Sequence, residues 1–395
     1  MAKPLATIAE KVHAGVRLDI DDGLALLQTG DIWTVGKLAH AARTQRHGDT
    51  VYYNINRHLN YSNICALSCA FCSFYRKTGQ EGAYEHDVAG IARQASEAEN
   101  GGATEIHIVG GLHPNLPFQY YTDMLTAIRD AAPRLHIKAF TAVEIVHLAR
   151  IDRRPRDLAG VLADLHTAGL GSLPGGGAEV FDDRVHDEAF KGKIRSAKWI
   201  EVHKTAHALG LMSNATILYG HIETLEDRVH HLCLLREAQD EAIAKELPGR
   251  FQTVIPLPFI PDDSALQHLP GPTGLEDLKM LAICRLMLDN FSHVKAFWIM
   301  QTLALSQLSL RFGVDDIDGT VVWYDITKLG GSDTHQETSA QDLQRVVREA
   351  GFRPVERDTL YRPVQREGST WRVETPSEKI TQPAVATGVD EIPAQ

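Results

Sequence analysis

The chain has 395 residues, 44% hydrophobic and 23% charged, a composition with ample material for a globular core. Its 40 basic and 51 acidic residues leave a formal charge of −11, which argues against general binding of nucleic acid or anionic membranes. A small anionic substrate in a local basic pocket stays compatible with that charge. There is no apolar h-region near the N-terminus, no run of about 18 apolar residues and no disulfide-like cysteine pattern. The expectation is a cytoplasmic protein without a membrane span.

Residues 5–47 read as helices, with apolar spacing near i, i+3, i+4 and a break at Gly30 and Asp31. Then short β-like runs alternate with longer amphipathic stretches. The runs lie at 51–64, 105–111, 136–142, 170–176, 213–220, 251–259, 293–300 and 317–323. The helical stretches between and after them fall at roughly 83–100, 118–131, 157–168, 196–209, 224–244, 275–290, 302–311 and 339–350. Eight β-then-α units predict an α/β protein with a (β/α)8 TIM-type barrel. A partial barrel of six units is the alternative, because the fourth and eighth runs are the weakest. The expected division is an N-terminal helical segment on the barrel (1–50), the barrel (51–350), a C-terminal cover (351–374) and a disordered tail (375–395).

The first β-run leads into "NICALSCAFCSFYRK", where Cys65, Cys69 and Cys72 are spaced C-x3-C-x2-C. Loops after strands line the mouth of a β/α barrel, so the thiols stand where chemistry is expected. A structural zinc site wants four ligands, but no second C-x2-C is present. Haem attachment needs C-x-x-C-H, and Ser73 follows Cys72. A ferredoxin-type cluster wants four cysteines, and Cys233 and Cys284 lie in helical stretches. The remaining reading is a 4Fe–4S cluster with one iron left open for a ligand.

Cys65, Cys69 and Cys72, with Phe71 just before the third, resemble the motif of the radical S-adenosylmethionine superfamily. That resemblance implies a cluster whose open iron is chelated by the methionine part of S-adenosylmethionine. It also implies cofactor contacts at Gly110 and Gly111 of "IHIVGGLHP". Thr216, Leu218, Gly220 and Glu223 of "NATILYGHIET" stand at the spacing of the adenine-contacting motif, with Thr216 where a glycine is usual. Each stretch alone also reads as an ordinary tight turn or strand end. Their common place after strands supports the joint reading.

The flanking segments, among them "GGLHP", "KAFTAVE", "LPGGGAE" and "FGVDDIDGTV", resemble the aminofutalosine synthase family of the futalosine route to menaquinone, from about residue 10 to 362. Related families are the futalosine-pathway cyclase and the deazaflavin-forming FO synthase subunits. The resemblance implies a transferase that consumes S-adenosylmethionine as co-substrate and adds its adenosyl group to 3-[(1-carboxyvinyl)oxy]benzoate. A flavodoxin- or ferredoxin-type reductant is implied as partner.

A dicarboxylate substrate needs local cations, and His113, Lys138, Lys295 and Arg57 are the candidates. A lysine within a strand is costly to bury unless paired, which favours a functional role for Lys138 and Lys295. His113 could equally shape a turn, and Arg57 could pair with a structural carboxylate. Glu144 is read either as a cofactor contact or as a helix-start group. Glu179, Asp289 and Asn290 are open between the same kinds of role. After "DDIDGTV" the family pattern continues with Glu and then His, whereas this chain has Trp323, Tyr324 and Lys328 in that stretch, which bears on substrate identity.

Overall fold

The computed structural model describes residues 4–152, 157–324, 326 and 337–374. Three helices open the chain: α1 (Leu5–His13), α2 (Ile20–Gln28) and α3 (Ile32–His47). Asp19 and Asp22 form a capping box at the start of α2, and Asp31 caps α3. Next come β1 (Thr50–Asn54), β2 (Asn56–Leu59), α4 (Val88–Asn100), β3 (Glu105–Ile108), α5 (Phe118–Ala131), β4 (His136–Ala139), α6 (Ala142–Ile151) and α7 (Leu158–Ala168). The middle of the chain holds β5 (Ser172–Leu173), α8 (Asp183–Ala189), α9 (Ser196–Ala208), β6 (Met212–Tyr219), α10 (Leu225–Ala244), β7 (Phe251–Pro258) and α11 (Gly274–Met287). The last third holds β8 (His293–Val294), α12 (Trp298–Gln301), α13 (Leu303–Ser309), β9 (Asp316–Gly319), α14 (Ala340–Glu349), β10 (Arg353–Glu356), β11 (Val364–Glu367) and β12 (Thr370–Val373).

Strands β2 to β8 make one seven-stranded parallel sheet in chain order, curled into a partial barrel. The eighth position is taken by β9. Bridges Lys295↔Asp316 and Arg57↔Val322 tie its segment to both edges of the sheet. The full eight-strand ladder expected from the sequence is thus a ladder of seven with separate closing pairs, and the six-unit alternative is too small. The run at 51–64 splits into β1 and β2 around Ile55. The lower half, β1, pairs with β9 and β10, while the upper half pairs with β3.

The strand runs overshoot because their C-terminal ends leave the ladder to become loops. "LGSLPGG" keeps only Ser172–Leu173 in β5, and "HVKAFWIM" turns into α12 after two strand residues. Helices α4 and α11 are close to their expected bounds, whereas α6 and α8 were not expected. The N-terminal helices α2 and α3 pack on α10 and α11, and β10 extends the lower sheet beside β1. The segment 375–395, expected as a tail, and Lys328 lie outside the described residues. No helix among the described residues is long and apolar enough to cross a membrane.

Side chains on β2, β3 and β4 alternate in an instructive way. His58, His107 and Lys138 are partners in register and line the cavity inside the barrel. Alternation along a strand sends their neighbours Ile106, Ile108, Ile137 and Ala139 the other way, and all four are buried. The outward faces of β3 and β4 are therefore apolar, while His107 and Lys138 meet an interior space.

Candidate active site

The cavity, of about 310 Å³, opens at the C-terminal ends of the strands. Cys65, Cys69 and Cys72 line it together, which the spacing alone did not guarantee. The loop that carries them is held by its own backbone. Lys77 Nζ donates to the carbonyls of Cys65, Ala66 and Leu67 at 2.8–3.2 Å, and the Cys72 amide donates to Cys69 O at 3.1 Å. The Leu112 amide donates to Cys65 Sγ at 3.4 Å. Burial pushes the Cys69 thiol up to about 11, with Lys193 opposing it, and burial also raises Cys72. Three thiols facing one pocket form a soft donor set, and an N–H aimed at one sulfur suits an iron–sulfur ligand. The donor set fits a three-cysteine cluster. Cys233 and Cys284 are buried in α10 and α11, outside this cavity.

Gly110 and Gly111 lie under the cysteine loop. A Cβ on Gly110 would fall 2.5 Å from the Tyr61 ring, and one on Gly111 would fall 2.3 Å from the Ile64 carbonyl oxygen. Glycine is required here so that the turn after β3 can pack against the loop. Glu144 ties the same region together. It closes a capping box with Thr141 at the start of α6, and its other oxygen accepts from Tyr61 OH at 2.9 Å and from the Gly110 amide at 3.0 Å. Burial raises its carboxyl to about 7 despite those donors.

Phe71, Thr216 and Leu218 also line the cavity. Thr216 Oγ1 donates to Gly175 O at 2.6 Å, and the Leu218 amide donates to Glu179 O at 3.0 Å. The Glu179 carboxylate pairs with Lys193, whose ammonium lies 4.8 Å from the centre of the Phe71 ring. Gly220 stands outside the lining. It adopts φ +90°, and its amide donates to Glu223, which also accepts from His221 N and Arg228. This end of the motif holds the turn after β6.

Deeper in the barrel, Lys138 Nζ donates to Glu105 Oε1 at 2.5 Å and Lys295 Nζ to Asp318 Oδ1 at 3.2 Å. Both lysines line the cavity and are almost fully buried. Burial lowers the Lys138 ammonium, with Glu105 opposing the shift. Burial alone would raise the Glu105 carboxyl, but Lys138, Lys295 and Arg357 outweigh it and hold it well below the usual range.

The other two candidate cations lie elsewhere. His113 Nδ1 accepts from the amides of Asn115 and Leu116, both at 3.1 Å, so it shapes the turn before α5. Its Nε2 is 2.9 Å from Glu85. Arg57 reaches Asn56 O and Thr320 Oγ1, with its guanidinium 5.9 Å from the Trp323 ring centre. Asp289 and Asn290 bind Arg17, Arg236 and Asp240 outside the cavity. In the departing segment, Tyr324 enters the lining while Trp323 is partly exposed.

Sequence reading missed His58, His107, Lys193 and Asp318. The signal for the first two was a polar residue repeated at alternate strand positions in "NRHL", "EIHI" and "HIKA".

Residues 59–235 match the radical SAM superfamily, and residues 249–369 match the CofH/MqnC C-terminal region. The chain is 44% identical over 365 residues to the aminodeoxyfutalosine synthase of Thermus thermophilus, covering 91% of this chain and 96% of that one. It is 42% identical to the aminodeoxyfutalosine synthase of Streptomyces coelicolor, covering 90% and 92%. It is 35% identical to a 5-amino-6-(D-ribitylamino)uracil–L-tyrosine 4-hydroxyphenyl transferase of Methanosphaerula palustris, covering 91% and 98%. Among solved structures, methylornithine synthase (PylB) superposes with a TM-score of 0.68 at 16% identity, covering 88% of this chain and 97% of that one. The FeFe-hydrogenase maturase HydG from Carboxydothermus hydrogenoformans gives 0.69 at 16%, covering 90% and 80%. At such identity the two structures speak for the fold alone. By its two matched regions and its 42–44% identity along nearly its whole length to two aminodeoxyfutalosine synthases, the chain belongs to the radical SAM superfamily and, within it, to the aminodeoxyfutalosine synthase family.

Proposed function

We propose that this protein adds the 5′-deoxyadenosyl group of S-adenosylmethionine to the vinyl ether carbon of 3-[(1-carboxyvinyl)oxy]benzoate. Rearrangement onto the ring and loss of carbon dioxide then give 6-amino-6-deoxyfutalosine for menaquinone synthesis in the cytoplasm. The observation that carries this reading is one cavity with three thiols at its mouth and two buried lysines at its floor. The identity to two aminodeoxyfutalosine synthases supports the choice of reaction.

Cys65, Cys69 and Cys72 would hold a 4Fe–4S cluster, and the backbone at Gly110 and Gly111 with Phe71, Thr216 and Leu218 would hold S-adenosylmethionine. When bound and reduced by a flavodoxin- or ferredoxin-type partner, the cluster supplies the electron that cleaves S-adenosylmethionine to a 5′-deoxyadenosyl radical. The protein's own part is placement. Glu144 fixes Gly110 against Tyr61, so the cofactor wall is set before any ligand arrives. Lys138 and Lys295 put positive charge at the far end for carboxylates. Apolar walls, including Ile255, Leu257, Phe259 and Phe297, keep water from a reactive radical and hold two molecules at reacting distance. His113, Arg57 and Gly220 act through the frame, by shaping turns and strand ends.

Mass spectrometry of the product formed with adenosyl-labelled S-adenosylmethionine tests the reading. The expected result is label retained in an adduct of the enolpyruvyl benzoate. Release of free 5′-deoxyadenosine in step with product, with no adenine-containing adduct, would assign a cyclase or tyrosine-dependent reaction instead.

A further inference from the structure

The floor of the cavity holds two histidines that no contact explains. His58 is only 2% exposed, and neither ring nitrogen has a hydrogen-bond partner among the described residues. The Nε2 of His107 is likewise buried without a partner. The two ring centres are 4.7 Å apart, with their planes tilted by 54°; the residues are partners in the β2–β3 register, and both line the cavity. Tyr324 meets His58 edge-on at 5.2 Å, closing one side. Buried polar atoms left without partners are costly, and native proteins tolerate them chiefly where a ligand or water satisfies them.

The neighbours decide what that ligand is. Lys138 and Lys295 line the same space, so two ammonium groups stand near the imidazoles, with Glu105 and Asp318 as their counter-charges. Each lysine has one carboxylate partner, Glu105 or Asp318, and each keeps ammonium protons beyond that bond. The lysines therefore leave N–H capacity for an acidic ligand, although Glu105 Oε2 also lacks a hydrogen-bond partner among the described residues. Above the floor the walls are apolar. An amphipathic anion fits, with its charged end down and its ring against Phe297 and Leu257. Histidine rings turn readily about their second torsion, so nitrogens on a cavity wall can swing to meet such a group.

We propose that His58 and His107 form the receptor for one carboxylate of the substrate, their ring N–H groups selecting an aromatic acid over a neutral analogue. This rests on the preceding reading that the substrate is an aromatic carboxylic acid. It adds two substrate-contacting residues to the lysines and assigns them specificity.

Calorimetric titration of the cluster-loaded protein with benzoate, and with benzamide as neutral isostere, gives a test that does not need turnover. Benzoate is expected to bind at least about tenfold more tightly. Equal binding of the two, or binding of neither, overturns the proposal. His58→Phe and His107→Phe are expected to weaken benzoate about tenfold or more and to raise KM for the substrate, with little change in kcat. His58→Gln, which keeps a donor, is expected to recover part of the loss. Phenylalanine variants that keep wild-type benzoate affinity, or lose kcat at constant KM, overturn it. If wild type makes another product yet these variants still lose benzoate, the receptor stands and the reaction assignment falls. If the expected adduct forms with unchanged KM, the reverse holds.

Discussion

Two buried polar clusters contain histidines, and they differ in whether those rings are hydrogen-bonded. At the base, Asp315 accepts from Arg285, from His293 at 2.6 Å and from the Val294 amide at 2.8 Å, and His47 stands 3.5 Å away. His47 also meets Ser292 O at 2.9 Å, and Tyr361 stacks on His293 at 3.6 Å. Those three metal-capable side chains, His47, His293 and Asp315, are consumed by each other and by Arg285. Higher up, His58 and His107 keep idle nitrogens and face a cavity. Residue types are shared between the two clusters, but only the upper one turns unpartnered histidine nitrogens toward a cavity. Burial and charge alone would not separate a structural plug from a receptor.

The largest effect is expected at the mouth of the upper region. Cys69→Ala should abolish activity and remove the iron and sulfide bound per chain, read by anaerobic metal analysis and visible absorbance. Retained turnover would remove the cluster from the cavity. At the base, Asp315→Ala should cost about 3–5 kcal/mol in denaturant unfolding, because Arg285 and His293 lose a buried partner. A loss below about 1 kcal/mol would erase the contrast between plug and receptor.

Glu144 gives the smallest and sharpest comparison, since it lies in the upper region yet is fully hydrogen-bonded. Its carboxyl is raised by burial to about 7 from 4.5, so the folded state prefers it protonated. That contribution is complete below pH 4.5 and is lost as pH rises through 7, up to about 3 kcal/mol. Melting temperature from pH 5 to 8 should fall in wild type relative to Glu144→Gln, which cannot ionise there. Parallel curves for the two would mean that Glu144 ionises freely in the fold.

The β/α alternation was legible where helices such as α4 and α5 carry a 3.6-residue apolar period, and α5 runs over the expected residues 118–131. Helix α6 was not expected, although "TAVE" carries its capping box; Glu144 was read there only as a helix-start salt bridge or a cofactor contact. Strand ends were less legible, since β-like residues continue past the ladder into loops that line the cavity, as after β5. The cysteines could be read from spacing because their chemistry is local. His58 and His107 are 49 positions apart and meet only through strand register, so no window of sequence contains both. His113 and Arg57 show the converse: a cationic residue near a strand end says nothing about which way its side chain turns.

The first strand is bordered by nearly the last ones. Thr50 pairs with Arg353, a separation of 303 residues, and Tyr52 pairs with Asp316. During synthesis the cysteine loop therefore leaves the ribosome long before the strands that brace its base exist. Contacts this distant in sequence form late and slowly. The loop with Cys65, Cys69 and Cys72 therefore stands on an unfinished base until β9 and β10 have emerged.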